Sequence, residues 1–523
     1  MQNETKRKKI LLGIGVLLAI CLIIGVSYAY WRLVLHQTGE NEVASSCFSI
    51  TLTNEQNAIN LQKAYPILDE EGKELTPYTF TVKNNCDAYA SYSVNLELLE
   101  TILEENRLSS GFIKVMLDEN TPLLLTENTS IEPTLDNAYE AYELATGYLD
   151  ANASVTYNLR LWMNQDVTIE DNAMNKQLES KITITASYVD HMPTDYEKCV
   201  EEYGEDSIQC SIIANADTTG SCPTVNEDGT ISITDIEDAE NLVCSAPDDY
   251  GTSYYFRGNV TNNYVKFAGY YWRILRINGN GSIRILYDGT VAHQNGESSI
   301  DRQIGESAFN ENDNDNAYVG YMYGTPGSST YEDTHANIND STLKTVVDNW
   351  YKINIEETGY GSYVSDTLFC NDRSFSSSNT GTGIGTSKTE YRGFDAFLVP
   401  YNLYQLKCVQ KNDRFTVNDE VIGNGALTYP VGLFSIDELR LSGENTCYYW
   451  YSYSGDWCYT MTPYSADYIN GAFMTPSRGE GEEFEMVSLA DVNGVRPVIN
   501  LKPNSLKSGD GTALNPYTVE ENI

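Results

Sequence analysis

The run from Asn310 to Asn316 (NENDNDN) sets amide and carboxylate oxygens at nearly every position. Calcium takes about 6–8 oxygen ligands, which makes Asn312, Asp313 and Asp315 the candidate ligands and calcium the one cofactor the sequence points to. The run lacks the glycine and the distal glutamate of an EF-hand loop in register. A solvated Asp/Asn-rich turn is therefore the simpler reading. A second chemistry-bearing stretch lies between Cys447 and Cys458, where Tyr448, Tyr449, Trp450, Tyr451 and Trp457 crowd one short loop. Amphipathic rings of this kind stack on a sugar or grip a protein, and they also fill the core of a disulfide-tied hairpin. The sequence leaves both readings open.

Catalytic signatures are missing from the sequence. The four histidines (His36, His191, His293, His335) stand in no HExxH or other nucleophile context, and no GxSxG occurs. Asp437 and Glu438 are adjacent carboxylates at an expected helix start, which capping explains without chemistry. The Ser/Gly/Thr loop at 374–386 does not match a phosphate-binding pattern. No catalytic residue is assigned, and a binding role is expected ahead of an enzymatic one.

The cysteines speak for an oxidising compartment. Eleven are present, and setting aside Cys21 leaves an even ten. Five local disulfides are the simplest arrangement: Cys47 with Cys86, Cys199 with Cys210, Cys222 with Cys244, Cys370 with Cys408, and Cys447 with Cys458. Spacing alone does not fix connectivity. No CxxC occurs and no histidine sits beside a cysteine pair at zinc spacing, so a Cys/His zinc site is rejected.

The location follows from residues 10–31, ILLGIGVLLAICLIIGVSYAYW, which carry no charge. A helix of about 20 apolar residues spans a bilayer core of about 30 Å. Lys6, Arg7, Lys8 and Lys9 precede it and hold residues 1–9 in the cytoplasm. Ser27-Tyr28-Ala29 has the small-residue spacing of a signal-peptide cleavage site. The apolar run exceeds a usual signal core, and Tyr28, Tyr30 and Trp31 suit an interfacial belt, so an uncleaved signal anchor is the reading preferred. Cys21, inside the span, reads as a small hydrophobe rather than a lipidated thiol. The bulk of the chain is then extracellular on a single-pass cell-membrane protein. The net charge of −41 is the opposite of a nucleic-acid footprint. The expected partners are the bilayer, through residues 10–31, and an extracellular glycan or protein.

The elements that must position these residues read as mainly β with some α. After a polar stalk at 32–45, alternation at Phe48–Thr53, Tyr78–Val82, Tyr92–Leu98, Val155–Met163 and Ile182–Tyr188 predicts half-buried strands. Residues 137–146 offer a short helix. The whole of 46–191 is expected to be a β-sandwich. Residues 192–245, with four cysteines and little periodicity, read as a Cys-rich connector. In 246–523 the clearest element is a hairpin: Tyr271–Asn278, a turn at Gly279-Asn280-Gly281, and Ser282–Tyr287. Alternation puts Trp272, Ile274 and Arg276 with Arg284 and Leu286 on one face, and Arg273, Leu275 and Ile277 on the other. Arginines among apolar residues call for acidic partners inside the fold. A helix is expected at Ser341–Tyr351 on an apolar stripe of Leu343, Val346, Val347 and Trp350, capped by Asp340 or Ser341.

Two resemblances add to this. The leader ending Ser27-Tyr-Ala-Tyr30, with the strand end Phe80–Asn85 (FTVKNN), resembles exported Firmicutes surface proteins of the TasA and camelysin kind, which implies a β-sandwich and, for some, a filament subunit. The blocks GTSYYFRG, FAGYYWRILRINGNGSIRILYDGT, VGYMYG, LFCNDRS, LTYPVGLFSIDE and GVRPVINL resemble an uncharacterised family of exported proteins in Firmicutes and related gut bacteria. Their closing pattern is similar to C-type-lectin-like domains, the group that also holds the formylglycine-generating, sulfatase-modifying enzymes. The resemblance implies an α+β C-type-lectin-like domain over 246–523. It implies glycan or protein adhesion first, with a surface enzyme of the sulfatase-modifying type as the alternative. It carries over no catalytic residue, because disulfides account for the cysteines.

Overall fold

Alternating apolar residues become strands where two sheets can share one core. The computed structural model shows this in the first of two compact units, Met1–Pro193 and Thr194–Ile523. It describes residues 33–36, 48–52, 59–61, 65–118, 122–173, 176–217, 220–233, 241–397, 403–443, 458–467, 471–477 and 487–519. The expected anchor at 10–31 lies outside these, and among the described residues no helix is long and apolar enough to cross a membrane.

In the first unit one six-stranded sheet runs Leu33–His36, Leu178–Tyr188, Ala90–Leu99, Ala138–Leu149, Thr129–Ile131, with Ile59–Leu61 also on Leu178–Tyr188. The other runs Phe48–Leu52, Tyr78–Asn84, Ser154–Asn164, Ile113–Leu117, Leu123–Leu124, with Pro66–Ile67 beside Ser154–Asn164. Val94, Leu96, Ile182 and Ile184 of the first sheet join Phe80, Val82, Leu159 and Leu161 of the second in one buried cluster. That shared core makes the unit a β-sandwich. Each fully buried aliphatic side chain contributes about 1.5–3 kcal/mol. Inside the segment read as a stalk, Leu33–His36 pairs with Ala186–Thr183. Residues 138–146 of the stretch read as a short helix are instead the first nine residues of the 12-residue strand Ala138–Leu149. Pairing with Ala90–Leu99 overrides local preference there, with register shifts between Ala138 and Glu140 and between Glu143 and Ala145.

The second unit is built on a nine-stranded sheet. Its order is Val431–Gly432, Val498–Leu501, Ile283–Gly289, Tyr270–Ile277, Tyr264–Phe267, Tyr517–Val519, Leu506–Ser508. Gly251–Arg257 also pairs with Tyr270–Ile277 and carries Leu242–Asp248 on its other side. A six-stranded sheet around Cys458–Asp467 and Gly471–Ser477 completes the β framework. The helices Asp195–Tyr203 and Ile208–Ala214 belong to this same unit, as does Leu242–Asp248.

The hairpin forms as read: Asn278 N–H donates to Ser282 O and Gly281 N–H to Asn278 O, both at 2.8 Å. Its faces differ from simple alternation. The register skips Leu275, pairing Ile274 with Ile285 and Arg276 with Arg284. Directly opposed residues share a face, so Trp272 and Ile274 go with Tyr287 and Ile285. Arg276 crosses to the side of Arg273, Arg284 and Leu286. The bulge is the reason, and alternation cannot reveal one. The expected helix is Thr342–Tyr351, with Ser341 Oγ accepting from Lys344 N–H as its cap. Leu343 and Val347 are buried as the stripe requires.

Candidate functional site

The aromatic candidates Tyr448, Tyr449, Trp450, Tyr451 and Trp457, with Cys447, lie outside the described residues. Cys458 opens the strand Cys458–Asp467. The calcium candidates are described, and the carboxylates of two of them accept hydrogen bonds from the protein. Asp315 Oδ1 accepts from Ala317 N–H and its Oδ2 from Gly327 N–H, while Asp313 Oδ2 accepts from Ser488 Oγ–H. Asn312 is exposed. Among the described residues no three His, Cys, Asp or Glu side chains converge as a metal site. Cys199–Cys210, Cys222–Cys244 and Cys370–Cys408 are disulfides. Cys86 is also disulfide-bonded, and Cys47 lies outside the described residues.

The buried arginines find the acidic partners their surroundings demand. Arg276 donates to Asp248 Oδ2 at 2.7 Å and to Glu438 Oε1 at 3.0 Å. Arg284 donates to Glu438 Oε2 at 3.1 Å. Burial opposes ionisation of Glu438, but the two guanidiniums hold its carboxyl below the usual range. Glu438 also closes the capping box of helix Ile436–Ser442 with Ser435. Beside this cluster Arg392 reaches Asp437 Oδ1 at 2.5 Å, and burial pushes the Asp372 carboxyl up to about 6. The cavity these groups line holds about 20 Å³. That is room for about one water, so this convergence of charged groups is an internal network and not a substrate pocket.

A third buried group centres on Arg373, which donates to Asp413 Oδ1 at 2.6 Å and to Nδ1 of His335 at 3.3 Å. His335 in turn donates from Nε2 to the carbonyl of Gly383 at 2.9 Å. One ring nitrogen accepts and the other donates, which defines a neutral imidazole. Burial first, and the Arg373 charge second, hold its pKa down to about 3.

A wider concavity lies elsewhere in the unit, between helix Asp195–Tyr203, helix Ile208–Ala214, strand Gly251–Arg257 and the hairpin turn. It encloses about 420 Å³, within the range of about 300–1,000 Å³ typical of ligand pockets. Thr194 caps the first helix by accepting from Glu197 N–H, and Cys199–Cys210 ties the two helices together. The turn contributes Gly281, at φ +76°. A Cβ there would come within 2.9 Å of Tyr203 Oη and 3.4 Å of Gln209 Nε2. Glycine therefore leaves the space that Tyr203 and Gln209 face.

Two amides at this site do not complete their hydrogen bonding within the protein. Gln209 is 1 % exposed; its Oε1 accepts from Asn504 N–H, and its Nε2 has no partner. Asn278 is 2 % exposed; its Nδ2 donates to Ser282 Oγ at 2.8 Å and Asn500 Oδ1 at 3.0 Å, and its Oδ1 has no partner. The orientations are fixed by chemistry. A backbone N–H requires oxygen from Gln209, and Asn500 spends its Nδ2 on Thr367 O, so it can only accept from Asn278. A buried polar atom left unpaired costs about 1–3 kcal/mol, and both residues border the same cleft.

The walls are mostly acceptors. Tyr254 Oη–H donates to Asp195 Oδ2 at 2.6 Å, and Lys198 Nζ donates to Asp195 Oδ1 at 3.2 Å. Burial works against the Asp195 charge, yet these donors hold its carboxyl below the ordinary value. Burial, then the bond to Glu202, raises the Tyr203 hydroxyl. Ile213 adds apolar surface. Sequence reading placed part of this region in a connector and singled out none of these residues. The one available signal was the Gly-Asn-Gly turn, which was read as structure alone. No protein-family model matches the chain, and no curated protein matches it.

Proposed function

We propose that this is a cell-surface recognition protein, held in the membrane by residues 10–31 and carrying a C-type-lectin-like second unit that binds an extracellular glycan in the 195–281 cleft. The observation that carries the reading is a cleft of about 420 Å³ lined by Asp195, Lys198, Glu202 and Tyr203, a surface rich in hydrogen-bond acceptors. A hydroxyl-rich ligand supplies what such a surface lacks, since each hydroxyl both donates and accepts. Tyr203 offers amphipathic ring surface at the same place. The chain's charge of −41 argues against nucleic acid as the ligand.

The enzyme alternative gains nothing from the charged cluster around Asp372 and Glu438, whose cavity of about 20 Å³ admits no substrate. The test is a glycan array probed with the full chain in detergent micelles, beside a Tyr203→Ala variant. Binding by the wild type that the variant loses supports the reading. An array without a single bound glycan overturns it and leaves protein adhesion.

A further inference from the structure

We propose that the end of the β-sandwich carrying Tyr89 and Tyr188 rests on the outer leaflet of the bilayer, with both rings in the headgroup layer. The inference rests on the reading of residues 10–31 as a membrane span and adds a second lipid contact to it. Residue 31, the last of the apolar run, stands two positions before Leu33. Two residues reach at most about 7 Å, against about 5–7 Å for the headgroup layer on one side of a bilayer. Leu33 therefore begins its strand at the membrane surface. That strand runs antiparallel to Leu178–Tyr188, with Leu33 opposite Ala186 and His36 opposite Thr183. Tyr188 lies two positions beyond Ala186, on the side from which the chain arrives.

Two large rings are exposed at this rim: Tyr188 is 54 % exposed and Tyr89 is 39 % exposed. Tyr188 pairs with Ala90, and Val189 N–H donates to Tyr89 O at 3.1 Å, so the two tyrosines are neighbours across adjacent strands. Tyrosine joins an apolar ring to a polar hydroxyl, which favours the headgroup level over both water and hydrocarbon. The rim's charge does not supply the attraction. Asp87, Asp150 and Asp190 are exposed there against Lys83, a balance that no anionic surface draws in. The rings carry the contact, and salt therefore weakens it little.

The experiment uses the full chain in phosphatidylcholine nanodiscs, where co-elution with the discs reports the span by itself. Hydroxyl-radical footprinting of the wild type compares Tyr89 and Tyr188 with Tyr65. Tyr65 is 70 % exposed and adjoins the pairing of Pro66 with Met163, at the end of Ser154–Asn164 opposite the rim, where Ser154 pairs with Lys83. Exposure in the fold would oxidise Tyr188 nearly as fast as Tyr65. Seating in the headgroups should slow Tyr188 and Tyr89 by a further factor of about three or more. p-Benzoylphenylalanine in place of Tyr188 should form a phospholipid adduct on irradiation, read as added mass on its peptide, with a yield unchanged in about 0.5 M NaCl. The same group in place of Leu103, exposed beyond the far end of Ala90–Leu99, should form none. Oxidation of the rim tyrosines in proportion to their exposure, an adduct lost in salt, or no adduct at 188 in a chain that co-elutes with the discs overturns the rim contact and leaves the anchor in place. A chain that does not co-elute removes both.

Discussion

The main-chain N–H of Asn504 donates to Oε1 of Gln209, joining residues separated by 295 positions in sequence. The bond aligns the Gln209 amide so that its Nε2 is left as the donor without a partner. Gln209→Met should therefore act twice. Leaving the Asn504 N–H unpaired should destabilise the second unit by about 1–3 kcal/mol, seen as a lower midpoint in urea. Binding of the array-selected glycan should weaken by at least tenfold, or about 1.4 kcal/mol. A variant that keeps full affinity removes Gln209 from the site.

Glu438 stands between Arg276 and Arg284 and caps its own helix. Glu438→Gln leaves buried Arg276 with Asp248 as its remaining carboxylate and removes the carboxylate that buried Arg284 pairs with. Breaking a buried pair by removing one partner costs about 3–5 kcal/mol. Thermal unfolding should show the loss, and it should persist at high salt because the cluster is screened little by solvent ions.

His335 predicts a pH dependence. The unfolded imidazole takes a proton near its ordinary value of 6.5, whereas the folded one resists protonation down to about 3. Below pH 6.5 the unfolded state therefore binds more protons than the folded state, and stability falls as the pH falls. At pH 4 this amounts to about 3 kcal/mol at about 1.36 kcal/mol per pH unit. Gln at this position can still accept from Arg373 and donate to Gly383. The stability of wild type minus that of His335→Gln, from urea unfolding at pH 7, 5.5 and 4, should decline steadily. A flat difference means that the folded ring takes up a proton as readily as the unfolded one.

The disulfide Cys199–Cys210 closes a loop of 11 residues' separation between the two helices that flank the cleft. Replacing both cysteines by serine should cost about 2–5 kcal/mol. Because Gln209 directly precedes Cys210, the same variant should bind its glycan at least fivefold more weakly. Unchanged affinity in a folded double variant shows that the helices are positioned by packing alone.

The sandwich strands were legible because their outward faces are polar and their inward faces are not, as Phe80 and Val82 against Thr79 and Thr81 show. The hairpin at 278–282 was legible because Gly-Asn-Gly admits few other conformations, and the helix start at Asp437 and Glu438 because acidic residues favour a first turn. Ala138–Leu149 misled because its helical pattern is local and its strand partner, Ala90–Leu99, is not. The bulge at Leu275 misplaced Trp272 and Ile274 for the same reason, since register is a property of two strands together. The cleft was illegible outright. It is assembled from residues 195–213, 252–254 and 277–281, and its defining feature is a pair of hydrogen bonds that are not made, which no spacing encodes.

The location of the site tests the central claim most directly. Hydrogen exchange measured by mass spectrometry on the full chain, with and without the tightest-binding glycan from the array, reports which backbone becomes protected. The account predicts protection in 195–213 and 277–281. Protection that leaves those segments unchanged and falls in 444–457 would contradict it and return the site to the aromatic loop.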